Sequence, residues 1–180
     1  MKNILLPFLF VLISFAAFAQ QTPPPAKEVL QEAAKIALKE KKHVFIMFHA
    51  SWCGWCHKMD DAMNDPSVHS LFDKNYVIRH ITVLERGAKT AEENPGGMEM
   101  LTQYHGDKGG IPFWLVFGPD GKLVADSRMK DESGNLANVG CPAQPGEIAF
   151  FLDILRKTSR MTDKDLAAVK ERFGRINARN

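Results

Sequence analysis

The chain has 180 residues, of which 45% are hydrophobic and 24% charged, and its formal net charge is +2. That length and composition suit one globular domain with a substantial apolar core, and the near balance of charge gives no reason to expect nucleic acid as a partner. Three cysteines are too few for a disulfide scaffold, and one of them must lack a mate within the chain.

In chain order, the first nineteen residues read as a secretory signal. Lys2 supplies the positive start, Ile4 to Phe18 the apolar run, and Ala17-Phe18-Ala19 the small-x-small cleavage site. The run is shorter than the roughly 20 residues of a spanning helix, so cleavage and not anchoring is expected. The mature chain would begin near Gln20, in the periplasm or secreted, with no membrane anchor. Residues 20–25 form a Pro-rich linker, and residues 26–180 are assigned to the domain.

From Ala26 to Lys42 the residues are strong helix formers, with Val29, Ala33, Ile36 and Ala37 at helical spacing. The apolar run Val44 to Phe48 suits a strand buried on both faces, as in a parallel sheet. A helix is expected over Cys53 to Asn64, interrupted at Asp65-Pro66, with Pro66 opening a turn through Val68, Leu71 and Phe72. Tyr76 to Leu84 is the next strand, reached by a right-handed crossover. Glu85 to Gly97 reads as loop and Met98 to His105 as a short helix, and residues 85–110 together form an insertion that could rim the site. Phe113 to Phe117 and Lys122 to Asp126 are strands joined at Pro119-Asp120-Gly121. Ser127 to Ala143 reads as loop. Two helices close the chain, the first with Ile148, Phe151, Leu152 and Leu155 on one face. The second opens on a Thr162/Asp165 capping box and carries Leu166, Val169 and Phe173. The order predicts an α/β fold, a small mixed β-sheet sandwiched by helices, with an extra C-terminal helix.

The chemistry concentrates at Trp52-Cys53-Gly54-Trp55-Cys56-His57. With the preceding run a strand and the cysteines opening a helix, both thiols fall where the unpaired N–H groups of the helix start favour a thiolate. The thiolate is the form that attacks a disulfide, and two thiols at this spacing can close on each other as a two-electron switch.

The motif Trp52-Cys53-Gly54-Trp55-Cys56 after a strand, together with Gly110-Ile111-Pro112 before a strand pair, resembles the thioredoxin superfamily over roughly Ala26 to Lys157. Among its branches it is most similar to exported thioredoxin-like proteins with a W-C-G-W-C motif and a following D-P-x-V segment, here Asp65-Pro66-Ser67-Val68. The resemblance implies a thioredoxin fold, with Cys53 as nucleophile and Cys56 as resolving thiol. It implies a cis-proline at Pro112 that turns Ile111 toward an extended substrate segment, and Trp52 and Trp55 as candidate apolar flanks of the thiols. The implied partners are protein disulfide substrates and a redox partner that recycles the dithiol. A monomer without a bound cofactor or metal is expected. One departure stands out: the buried acid that thioredoxins carry six residues before the first cysteine is Met47 here. His49 and His57 are the candidate modulators of thiol pKa in its place, although a strand histidine is more often merely packed.

Two other readings of the motif stay open at the level of sequence. Cys53-Gly54-Trp55-Cys56-His57 is a literal C-x-x-C-H, the attachment signature of c-type haem, with His57 as an axial ligand. Cys53, Cys56 and His57, with His49, could instead hold a soft metal such as Cu(I) or Zn. Cys141 reads as a small loop or core residue, with a second redox partner or docking handle as the alternative.

Overall fold

The computed structural model describes residues 22–177. The expected signal sequence, with Gln20 and Gln21 of the linker, lies outside the described residues. Helix α1 runs Ala26–Glu40 and strand β1 His43–His49. Helices α2 (Gly54–Met63) and α3 (His69–Asn75) lead to β2 (Tyr76–Thr82), and a 3₁₀ turn over Gly87–Glu92 precedes α4 (Gly97–Gln103). Strands β3 (Phe113–Phe117) and β4 (Leu123–Asp126) follow, then β5 (Arg128–Lys130), β6 (Leu136–Asn138), α5 (Pro145–Thr158) and α6 (Asp163–Gly174).

The main sheet has the order β2-β1-β3-β4, with β1 parallel to β2 and antiparallel to β3. The five central residues of β1 are all buried, as its unbroken apolar run requires of a strand covered on both faces. Alternate side chains divide between two cores. Phe45, Met47, Trp114 and Val116 face α2, α3, α5 and α6, whereas Val44, Ile46, Phe48, Phe113 and Leu115 face α1 and α4. Met47 is 1% exposed among these apolar groups, so the position that carries an acid in thioredoxins is here filled by ordinary packing. Each such fully buried side chain contributes about 1.5–3 kcal/mol of transfer free energy.

Two segments read as loop from sequence are structured. The stretch after β2 contains the 3₁₀ turn, held because Asn94 Oδ1 accepts from Thr82 N at 2.7 Å and Glu93 Oε1 from Glu85 N at 2.7 Å. The stretch Ser127 to Ala143 contains the antiparallel hairpin β5–β6. Its strands are three residues each, with none of them buried, too short to show a period of two. The hairpin is closed by Asp131, whose Oδ1 accepts from Ser133 N and Asn135 N, and it is tied to the sheet through wholly buried Ser127.

The joint between α2 and α3 explains the Asp65-Pro66-Ser67-Val68 segment physically. Asp65 Oδ1 accepts from both the backbone N–H and the hydroxyl of Ser67, and its Oδ2 accepts from Arg172 Nε at 2.6 Å. Arg172, 7% exposed on α6, also donates to Asp61 O, so one side chain ties the C-terminal helix to the joint. The Ser67 bonds first, and then Arg172, hold the Asp65 carboxyl down from 3.8 to about 2. A depressed folded-state pKa gives stability that is fully present above the unfolded value and is lost as pH falls through the folded one. An Asp65→Asn protein is therefore expected to melt below the wild type at neutral pH. The difference should close as pH falls from about 4 to about 2. Thermal melts across that range check it, and a difference independent of pH would contradict the assignment.

Candidate functional site

Cys53 caps the N-terminus of α2 from an extended backbone conformation, and its Sγ accepts from Cys56 N at 3.1 Å. A capping position normally taken by a hydroxyl or carboxylate is thus held by sulfur, in the field of about half a positive charge at the helix start. The two cysteines are joined as a disulfide. Cys53 is 4% exposed and Cys56 fully buried, so the first sulfur is the one an incoming group can meet. Both pack with Ala50 and Ile111 in a small apolar cluster of their own.

The second half of the site arrives from the loop before β3. The Ile111–Pro112 peptide bond is cis, as the resemblance implies. Cys53 Sγ lies 3.6 Å from the Ile111 carbonyl oxygen. In the disulfide that sulfur bears no proton, but the reduced thiol can donate there. Asn138 on β6 fixes the loop: its Nδ2 lies 3.0, 2.9 and 3.0 Å from the carbonyl oxygens of Gly109, Gly110 and Pro112, while its Oδ1 accepts from Gly140 N. Gly140 has φ +65°, the left-handed region that favours glycine, and a Cβ there would meet the Pro112 carbonyl at 3.5 Å. The hairpin missed from sequence therefore carries the residue that holds the proline loop in place.

Trp52 and Trp55 are both exposed, at 44% and 45%, and flank Cys53 in the chain. Trp52 is oriented by its indole N–H, which donates to Leu84 O at 2.7 Å. Leu84 itself has φ +57°, a conformation of order 1–3 kcal/mol above the usual wells for a non-glycine residue. Beyond it, Glu85 turns inward and clamps the residue before Trp52. Its Oε1 accepts from Ser51 N at 2.5 Å and its Oε2 from Ser51 Oγ at 2.8 Å. Burial pushes the Glu85 carboxyl up, but the Ser51 bonds, Lys89 and His49 outweigh it, and the net pKa lies below the usual carboxylate value. Ser51 is also met by Lys89 Nζ at its hydroxyl and by His57 Nε2 at its carbonyl, 2.9 Å away. The start of the 85–110 segment thus contacts Ser51, two residues before Cys53.

Sequence reasoning singled out neither Ser51, Glu85 nor Asn138. Each is a common polar residue with no motif spacing, and only the β2 and β6 pairings bring two of them to the site. His49 is engaged with β2. Its Nε2 lies 3.2 Å from Thr82 Oγ1, and its ring stands 4.8 Å from that of His80, which pairs with Asp60 at 2.8 Å. Burial first, and the neighbouring His80 next, lower its pKa and so favour the neutral ring. His57 is exposed at the surface of α2.

The haem reading fits this geometry poorly, because Cys56 is wholly enclosed and the His57 ring is engaged at Ser51. Among the described residues no group of three or more His, Cys, Asp or Glu is arranged to hold a metal ion. Cys141 is 5% exposed, within the core shared by α5 and α6. Burial, and then the charge of Glu147, pushes its thiol up to about 12. It is expected to resist alkylation in the native protein at pH 8 and to react on unfolding. Mass spectrometry after iodoacetamide treatment checks this, and rapid native labelling would restore it as a candidate redox group.

A mixed sheet between helices, a C-x-x-C at the strand–helix junction and an X-Pro loop against it define the thioredoxin class. The model of the thioredoxin-like family matches residues 26–119, more than half of the 180-residue chain, and the protein belongs to that family. Among solved structures it is similar to a disulphide isomerase from Xylella fastidiosa Temecula1, at 21% identity over 84% of this chain and 91% of that one, with a TM-score of 0.49. It is similar also to the oxidised C-terminal domain of DsbD from Neisseria meningitidis, at 23% identity over 76% and 98%, with a TM-score of 0.46. No curated protein matches the chain.

Proposed function

We propose that this protein is an exported thiol–disulfide oxidoreductase that reduces or exchanges disulfides in other proteins through Cys53 and Cys56. The observation that carries the reading is the Cys53 sulfur capping α2, with Cys56 N–H donating to it at 3.1 Å. A donor and a helix dipole aimed at one sulfur favour its thiolate over its thiol.

In the reductive direction the Cys53 thiolate attacks one sulfur of a substrate disulfide. A mixed disulfide forms, and the other substrate sulfur leaves as a thiolate that takes a proton from solvent. The Cys56 thiolate then attacks Cys53 Sγ and expels the second substrate thiol. Two electrons have passed to the substrate, and the Cys53–Cys56 disulfide remains for a redox partner to reduce. Trp52, Trp55, Ile111 and Pro112 form the surface that receives the substrate segment. The Ile111 backbone, turned at the cis bond, is the part that would pair with an extended substrate segment. His57, by its bond to the Ser51 carbonyl, steadies the turn that presents Cys53, and His49, its ring favoured neutral, is the other candidate modulator of the thiols. The signal-like residues 1–19 support delivery to the periplasm or outside the cell. Catalysis of insulin reduction by dithiothreitol tests the reading. Precipitation of the insulin B chain is expected to start far earlier with the protein than without it. Identical time courses would overturn the proposal.

A further inference from the structure

We infer that Glu85 and Lys89 are positioning residues for the nucleophile: through Ser51 they hold a buried negative and an exposed positive charge beside the turn that presents Cys53, and so set how readily its thiolate forms. This inference rests on the disulfide-exchange reading above. Ser51 and Trp52 are the middle residues of a turn closed by Cys53 N, which donates to Ala50 O at 3.0 Å. Every polar group of Ser51 is held by a side chain from outside that turn. Its N–H and hydroxyl donate to the two oxygens of Glu85 at 2.5 and 2.8 Å. Its hydroxyl oxygen accepts from Lys89 Nζ at 3.0 Å, and its carbonyl oxygen lies 2.9 Å from His57 Nε2.

Glu85 is 7% exposed, so its carboxylate has given up most of its water, and the side-chain bonds that replace it all go to Ser51. An amide of the same length could make the same two contacts, accepting from the N–H and donating to the hydroxyl oxygen, with no charge to bury. The turn alone therefore does not require a carboxylate, and the charge acts on something besides the contacts. Two residues of chain span at most about 7 Å, so Ser51 keeps both charges within roughly one screening length of Cys53. The start of α2 favours the Cys53 thiolate, and no acidic side chain in its first turn opposes it. Glu85 opposes it from the preceding turn. Lys89 offsets Glu85, and its charge is one of those that hold the Glu85 carboxyl below its usual value. The other charges near the motif are engaged elsewhere: Arg86 lies over the Trp52 ring, Lys58 over that of Trp55, and Glu93 accepts from Glu85 N.

The test follows the pH dependence of Cys53 alkylation by neutral iodoacetamide in the reduced protein, read by mass spectrometry, for Glu85→Gln, Lys89→Gln and the double variant. Loss of the negative charge is expected to move the midpoint down by about half a pH unit, and loss of the positive charge to move it up by a similar amount. The double variant should return toward the wild type, and Lys89→Arg, which keeps the charge, should titrate as the wild type does. A merely structural role predicts a different pattern, because loosening the turn moves both single variants the same way and the double variant furthest. Midpoints that shift together, or an Arg variant that behaves like the Gln variant, would overturn the inference. Lys89 is exposed, so its variants are readable even if Glu85→Gln does not fold, and an unmoved midpoint in Lys89→Gln is enough to overturn it. Reduction of hydroxyethyl disulfide by the wild type, measured alongside, separates the two readings. Activity there with midpoints that do not part leaves the exchange reading standing without this inference, and no activity overturns both.

Discussion

A Cys56→Ser protein mixed with a disulfide-bonded substrate is expected to accumulate a stable mixed disulfide through Cys53. A Cys53→Ser protein should form none, and turnover in both should fall to the uncatalysed background. The asymmetry follows from burial and position. Cys53 is the less buried of the two residues, at the helix cap, whereas Cys56 is fully buried beside Ala50 and Ile111 with its sulfur bonded to Cys53. Without the second thiolate there is no intramolecular attack to release the substrate. Non-reducing electrophoresis and intact mass measure the adduct. Equal trapping by both variants would contradict the assignment of roles, and trapping that required Cys141 would move the chemistry elsewhere.

The largest effect on stability is expected at Trp114. This side chain is fully buried, stacks on Phe45 at 5.6 Å and meets Phe151 edge-on at 5.5 Å. Its indole N–H donates to Gly140 O at 2.9 Å, so the same residue that fills the core also fixes the loop against Pro112. Trp114→Ala should destabilise the fold by about 3–5 kcal/mol, through lost transfer free energy and the cavity left behind. For a chain of this size that lowers the melting temperature by roughly 6–20 °C. Trp114→Phe keeps most of the packing and leaves the Gly140 carbonyl without its donor, at a cost of about 1–3 kcal/mol. Thermal melts of the two variants check the order. A Phe variant as unstable as the Ala variant would mean that the hydrogen bond, and not the ring volume, dominates.

Apolar periodicity made the sheet and its helices legible. The all-apolar run of β1 suited a strand covered on both faces, and the Thr162/Asp165 box announced α6, where the reciprocal bonds are present. Cys53 and Cys56 were legible because the spacing itself carries the chemistry, and Pro112 because the resemblance pointed to it. Glu85, Ser51 and Asn138 were not legible. Their importance comes from strand pairing and a hairpin that bring distant residues together, and a buried carboxylate reads in sequence like any surface one. The hairpin β5–β6 escaped for a related reason: it is held by Asp131 and Ser127 at its ends, and its three-residue strands are too short to show a period. Trp55, a candidate flank of the thiols, is exposed, and Met47 is plain core where thioredoxins carry an acid.

The opening motif emerges as a sulfur-capped helix start, braced on one side by Glu85 through Ser51 and on the other by Asn138 through the proline loop. The most direct test of dithiol exchange is equilibration of the protein across a series of glutathione buffers, followed by the fluorescence of the flanking tryptophans. The account predicts one reversible two-electron transition that is absent in Cys53→Ser. Its midpoint should lie nearer the value of about −270 mV found for thioredoxin than that of about −120 mV for DsbA. No transition, or one that survives the loss of Cys53, would contradict it.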